Sequence, residues 1–311
     1  MAQAEKLLKE ERNPALIQIN SKQDQSRQDL FKSLDFSSIL KPSIYRVATQ
    51  NDGLKTYMML RGDPAASFYY KGKAMFPWMD LDLLHLRTTG VKKENLLLEG
   101  VPGEGYSAIL LAGEKAAAQH SRYTAAPGLG TFTYTLSKGY PMVLEVIFDL
   151  DPELPELPKV GLLVEIPSSY KEISWFGLGP DESYPDRLAG AFLGRYKLAV
   201  ADFEVPYVVP QENGNRSGVR NFTLINEDVS KNITIRSDKP INIGCSRYSQ
   251  ENMWASCHTY ELNDLSQGPD GHWFLAIDIA QRGVGTATCG PDTREEYRIR
   301  PGIFKMKLYI S

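Results

Sequence analysis

The sequence predicts an all-β sandwich, and three observations carry that expectation. Thr131-Phe132-Thr133-Tyr134-Thr135-Leu136-Ser137 alternates polar and apolar residues without a fault, the period of a strand with one buried face. Lys138-Gly139-Tyr140-Pro141 then supplies turn chemistry, and Met142, Leu144, Val146, Phe148 and Leu150 share one face of the next strand, so the two runs form a hairpin. Elsewhere many short apolar segments are punctuated by Gly and Pro, without the strand–helix alternation of a (β/α)8 barrel.

Taken in order, residues 3 to 12 read as a short charged helix, and Gln18 to Asp29 as a loose polar stretch without periodicity. Residues 1 to 44 are expected to be a degenerate, partly disordered segment ahead of a sandwich domain at 45 to 311. The period-two signal strengthens after Gly103. Asp151 to Lys159 carries three prolines and cannot join a central strand, and Val160 to Ile166 resumes the sheet. Trp175 to Arg187 reads as a stiff loop, with two glycines, two prolines, three carboxylates and an arginine. Gln250 to Leu262 is the helical segment of the core region, with Ser249 as N-cap and Met253, Trp254, Cys257 and Tyr260 at helical spacing. Tyr297 to Arg300, Pro301-Gly302 and Ile303 to Ile310 suggest a last hairpin, with Phe304, Met306, Leu308 and Ile310 inward.

Composition excludes several function classes. The 311 residues have room for one large all-β domain or two smaller ones, and 42% hydrophobic content suits a folded core. A net charge of −3 offers no basic stripe for nucleic acid. Apolar runs such as Ser107 to Ala112 are far too short to span a membrane. The N-terminus lacks the apolar region of a secretory signal, so a cytoplasmic protein is expected. Cys245, Cys257 and Cys289 are an odd count in no metal-ligand spacing, and His85, His120 and His272 have no companion at zinc spacing. Neither a metal nor a cofactor is expected. The sequons at Asn215, Asn221 and Asn232 matter only in a secreted chain.

Read as a motif, Trp175-Phe176-Gly177-Leu178-Gly179-Pro180-Asp181-Glu182-Ser183-Tyr184-Pro185-Asp186-Arg187 resembles the signature of the C-terminal domain of glycoside hydrolase family two β-galactosidases, also found as their separate small chain. Tyr207 to Arg216 and Ser246-Arg247-Tyr248-Ser249-Gln250 are similar to the family's Y-x-x-P-Q-E-N-G-x-R and S-R-Y-S blocks. Gly283 to Pro291 is similar to its G-x-G-S-x-x-C-G-P loop, and Tyr45 to Gly53 to a worn form of its W-R-A-P-T-D-N-D-x-G. The resemblance sharpens the expected fold to a large antiparallel super-sandwich of the galactose-mutarotase-like kind, with one short internal helix.

It also implies a division of labour. Retaining glycosidases use two carboxyl groups about 5 Å apart, and the family places both on a barrel domain whose pattern this chain lacks. The resemblance puts Asn51, Asp52 and Gly53, with Thr288 and Cys289, next to substrate in the complete enzyme. Cys289 falls where some members place a substrate-stacking tryptophan. The residues themselves allow blander readings: a turn glycine at Gly53, a buried small hydrophobe at Cys289, a satisfied core histidine at His258, and core positions for Trp78, Trp175, Trp254 and Trp273. Glu182, Tyr184, Asp186, Arg187, Glu212, Asn213 and Arg216 are read as structural or interface residues, with Arg220 able to join their charges in a buried network.

Three functions compete. The chain could be a β-galactosidase small chain that works only when docked to a large chain. It could be a stand-alone isomerase or cyclase using Asp52, Glu182, Glu212 and His258 as acid and base. It could instead bind carbohydrate, or scaffold a partner, without catalysis.

Overall fold

The computed structural model describes residues 40–53, 74–114 and 127–311. The readings made for residues 3 to 12 and 18 to 29 lie outside the described residues. Among the described residues, twelve strands join in one antiparallel sheet, with two short α-helices and several 3₁₀ turns. β1 (Lys41–Ser43), β6 (Lys159–Pro167), β11 (His272–Gln281), β10 (Ile233–Ser246), β12 (Ile303–Ile310), β5 (Met142–Leu150), β4 (Gly128–Ser137), β3 (Val101–Leu111) and β2 (Arg87–Leu98) pair in that spatial order. β9 (Arg216–Asn226) lies on β10, followed by β7 (Tyr170–Gly179) and then β8 (Phe192–Ala199). The helices are α1 (Met75–Asp80) and α2 (Gln250–Ala255).

The sheet branches at β10. Ile235 to Ser237 pair with β12, whereas Asn242 to Ser246 pair with β11. Between them the register against β9 slips, from Arg236 to Ile241 and again to Ile243. Pro240 falls in that gap and has no N–H to donate, so the ladder breaks where a strand must change partners. The sheet thereby curls on itself as an all-β sandwich.

The core is the inner face of that curl. Phe132, Tyr134 and Leu136 of β4, and all five alternate apolar residues of β5, are buried as their period requires. Trp78, Trp175 and Trp273 are buried as well. Each indole N–H donates to a backbone oxygen, of Glu156, Leu178 and Tyr170 respectively, which removes the cost of burying that donor. Trp254 is half-buried against the same core.

Three expectations change. β12 inserts between β10 and β5 and forms no terminal hairpin; Tyr297 ends a 3₁₀ turn, and Ile299 makes a single bridge to Leu157. Met306, Leu308 and Ile310 still face inward. The helix after Ser249 stops at Ala255, because the Glu261 carboxylate takes the Cys257 N–H at 2.6 Å and the chain turns extended at Ser256. Ser249 caps that helix, its Oγ accepting from Asn252 N at 3.1 Å. Trp175 to Gly179 is the end of strand β7, and the irregular loop starts only at Pro180. Gly177 is there for closeness: a Cβ would stand 2.8 Å from the Val219 Cα of the neighbouring strand.

Candidate functional site: a braced loop rim

Two of the motif segments converge on a third, the turn that follows β11. Asp186, carried past the end of β7, accepts hydrogen bonds from Val284 N at 3.0 Å and Gly285 N at 2.7 Å. Arg187 donates to Gly285 O at 2.9 Å. Asn51 donates from Nδ2 to the same oxygen at 3.0 Å, and its Oδ1 accepts from Thr288 N at 3.2 Å. Gly285 has φ +61, and a Cβ would meet Thr293 Oγ1 at 2.6 Å, so only glycine fits this crossing of loops. The result is a rigid base from which Thr286, Thr288 and Cys289 stand exposed.

Beneath the rim lies a buried ionic cluster. Asp52 is fully buried, and its carboxylate receives Arg46 at 2.8 and 3.0 Å, Arg282 at 3.2 Å and the Thr49 N–H and hydroxyl at 2.9 Å each. Arg282 continues to Thr293 Oγ1 at 2.8 Å and Asp292 at 3.1 Å. Both guanidinium groups lie near the face of Trp78, at 5.8 and 6.0 Å from its ring centre. Burial pulls the Arg46 pKa down, but Asp52 and Glu212 outweigh it and the net direction is up. Gly53 N closes the turn onto Thr49 O at 3.1 Å, as a turn glycine does. Asp52 is therefore an anchor for two cations and has no accessible lone pair for proton transfer.

Alongside, Lys159 and Asp278 form a second buried pair at 3.5 Å. Burial pushes the Asp278 carboxyl up to about 7, with Glu212 adding to the rise and Lys159 opposing it. Glu212 is raised too, chiefly by desolvation, while Lys159 and Arg46 pull it down; its Oε1 accepts from Gln281 at 3.0 Å.

The remaining motif charges do not form the anticipated network with one another among the described residues. Glu182 takes the Tyr207 hydroxyl and the Gly214 N–H, the latter at 2.8 Å. Arg216 is buried over Phe203, its guanidinium 4.7 Å from the ring centre, and donates to Pro180 O and Gly214 O; burial lowers its pKa. Asn213 ties Val205 N to Gln211 O. Tyr184 is buried and bridges to Arg187, with its pKa raised by burial and then by Glu212 and Glu182. The side chains of Glu182, Arg216 and Asn213 each hold backbone, because a loop without ladder partners must satisfy its N–H and C=O groups locally.

Two bland readings are overturned. His258 is half exposed on a 3₁₀ turn, stacked on Tyr260 with ring centres 5.1 Å apart and beside Glu261 at 3.3 Å, since the shortened helix leaves it outside the core. Cys289 is exposed, while Cys245 is the buried thiol. The Asn215 sequon is closed by burial, its amide donating to Ser183 O at 2.7 Å. Sequence reasoning passed over Arg282, Lys159 and Asp278. The available signal was an arginine beside each loop block, Arg46 and Arg282, flanking the lone Asp52.

Comparison with known proteins agrees with the motifs. The model of the beta galactosidase small chain family matches residues 17–310. The β-galactosidase of Psychromonas ingrahamii is 31% identical over 179 residues, 57% of this chain and 16% of that protein. Those of Streptococcus thermophilus and Vibrio cholerae are 35% and 37% identical over 48% and 46% of this chain, and 14% and 13% of their own lengths. The aligned part thus spans about one sixth or less of these curated relatives. With its blocks, its sheet and this match in agreement, the chain belongs to the β-galactosidase small-chain family.

Proposed function

We propose that this chain is the accessory component of a family 2 β-galactosidase, supporting β-galactoside hydrolysis when docked to a large chain whose barrel carries both reacting carboxyls. The observation that carries this reading is Asn51, which joins the two segments that the family resemblance puts next to substrate by bonding both Gly285 O and Thr288 N. A rim braced in this way is preorganised to complete a site on another polypeptide, with Asn51, Thr288 and Cys289 toward a carbohydrate. The reading calls for no cofactor.

The carboxylates of this region favour an accessory role. Retaining hydrolysis needs a nucleophile and an acid/base about 5–5.5 Å apart. Here Asp52 serves two arginines, Asp186 two amides, and Glu182 a tyrosine and an amide. The stand-alone isomerase reading has less support: no two of Asp52, Glu182, Glu212 and His258 share a hydrogen-bond partner among the described residues. We place the protein in the cytoplasm, a reading supported by free thiols at Cys245, Cys257 and Cys289.

Co-purification with a barrel-bearing large chain, followed by an assay of nitrophenyl-β-galactoside hydrolysis, tests the proposal. Activity is expected in the mixture and in neither chain alone. Absence of both a complex and activity in the mixture overturns it.

A further inference from the structure

A second cleft lies apart from the braced rim, at the sheet edge where β1 meets β6. Its volume is about 600 Å³, within the usual range of small-molecule sites. Asp82 and His85 line it, on the 3₁₀ turn that follows α1. His85 Nδ1 lies 2.6 Å from Asp82 Oδ1, and the imidazole is 41% exposed while the carboxylate is 10% exposed. A carboxylate on Nδ1 makes that nitrogen the donor of the neutral ring, which leaves the lone pair on Nε2. Among the described residues nothing bonds Nε2.

The fold makes concessions to hold this pair. Asp82 is a non-glycine residue at φ 46, ψ 48, a left-handed conformation that costs free energy and gathers at functional sites. The chain opposite is glycine for the same reason: a Cβ on Gly113 would fall 2.2 Å from Asp82 Oδ2.

The rest of the cleft selects the ligand. Its two cations are already neutralised, Lys41 by Glu165 at 2.6 Å and Arg87 by Glu114 at 2.7 Å, so an anion finds no free counter-charge. Pro42, Leu84, Leu86 and Leu163 supply apolar wall, and Glu251 and Ser43 supply further polar groups. Apolar wall beside an oriented imidazole suits a molecule with C–H faces and many hydroxyls. We propose that this cleft is a binding site for a neutral saccharide, with His85 Nε2 accepting a sugar hydroxyl and Asp82 positioning the ring. The inference stands apart from large-chain docking and is tested on the full chain alone.

Galactose, methyl β-galactoside and lactose are titrated by calorimetry, in parallel with NMR of the histidine Cε1–H signals, His85 being assigned from its loss in His85→Gln. The expected result is saturable binding of at least one sugar that moves the His85 signal. Affinity should weaken about tenfold or more in His85→Gln and at least about threefold in Asp82→Asn, a residue that also tolerates the left-handed backbone. A His85 signal that stays fixed to about 0.1 M of every sugar, roughly a hundredfold above a millimolar Kd, overturns the proposal. So do unchanged affinities in both folded variants, or tighter binding of galactose 6-phosphate than of galactose.

Discussion

Asp52 and Asp186 brace the same segment, Gly283 to Gly285, by opposite means. Asp52 works from inside the core through two guanidinium groups, which also donate to Gly283 O, Arg46 at 3.1 Å and Arg282 at 3.5 Å. Asp186 works from the half-buried side, directly on the N–H groups of Val284 and Gly285. The inner arrangement trades full desolvation of three ions for position, so losing one member strands the others. The outer arrangement uses neutral amide donors, so its failure strands no second charge. The exposed residues Thr286, Thr288 and Cys289 lie on the outer side, and the inner cluster sits beneath them.

Breaking the inner brace should give the largest effect. Asp52→Ala leaves Arg46 and Arg282 facing each other in the core, and a loss of about 3–5 kcal/mol is expected in urea unfolding. Asp186→Ala removes two charge-assisted bonds and should cost about 2 kcal/mol. A loss for Asp186→Ala equal to that for Asp52→Ala would erase the distinction between the two.

The second buried pair sharpens the comparison by pH. The folded Asp278 carboxyl is raised to about 7 from an unfolded value near 3.8, so the native state holds its proton over that window while the unfolded chain does not. Any penalty is absent below about pH 4 and complete above about pH 7. Stability should therefore fall as pH rises between them, by at most about 1.4 kcal/mol per unit from this group. Asp278→Asn should flatten that slope in a stability-versus-pH series, and an unchanged slope refutes the assignment.

At the outermost position the smallest stability effect is expected. Cys289→Ser should change unfolding free energy by no more than about 0.5 kcal/mol, as for an exposed residue with few contacts. In the native protein, alkylation should reach Cys289 first and Cys245 last, since burial both shields the Cys245 thiol and raises its pKa. Mass spectrometry of a timed iodoacetamide reaction reports that order.

Legibility followed the range of the physics involved. The β4–β5 hairpin was readable because alternation and a turn are local signals. The N-cap at Ser249 was readable too, but the end of its helix was not, since it depends on Glu261 reaching back to Cys257 N. The last strand was recognised by its inward face at Met306, Leu308 and Ile310, yet its neighbours β5 and β10 lie far away in sequence. The same limit hid the inner cluster: Arg46 and Asp52 are close in the chain, but their shared partner Arg282 is 230 residues beyond Asp52.

By itself, the sequence determined the fold class, the faces of the β4–β5 strands and the family, because periodicity and motif spacing are carried by neighbouring residues. Only the tertiary structure decided what the carboxylates do. Whether Asp52, Glu182 or Asp186 is a free acid or a bound anchor depends on burial and on which distant arginines and amides arrive beside it, and no local pattern specifies either.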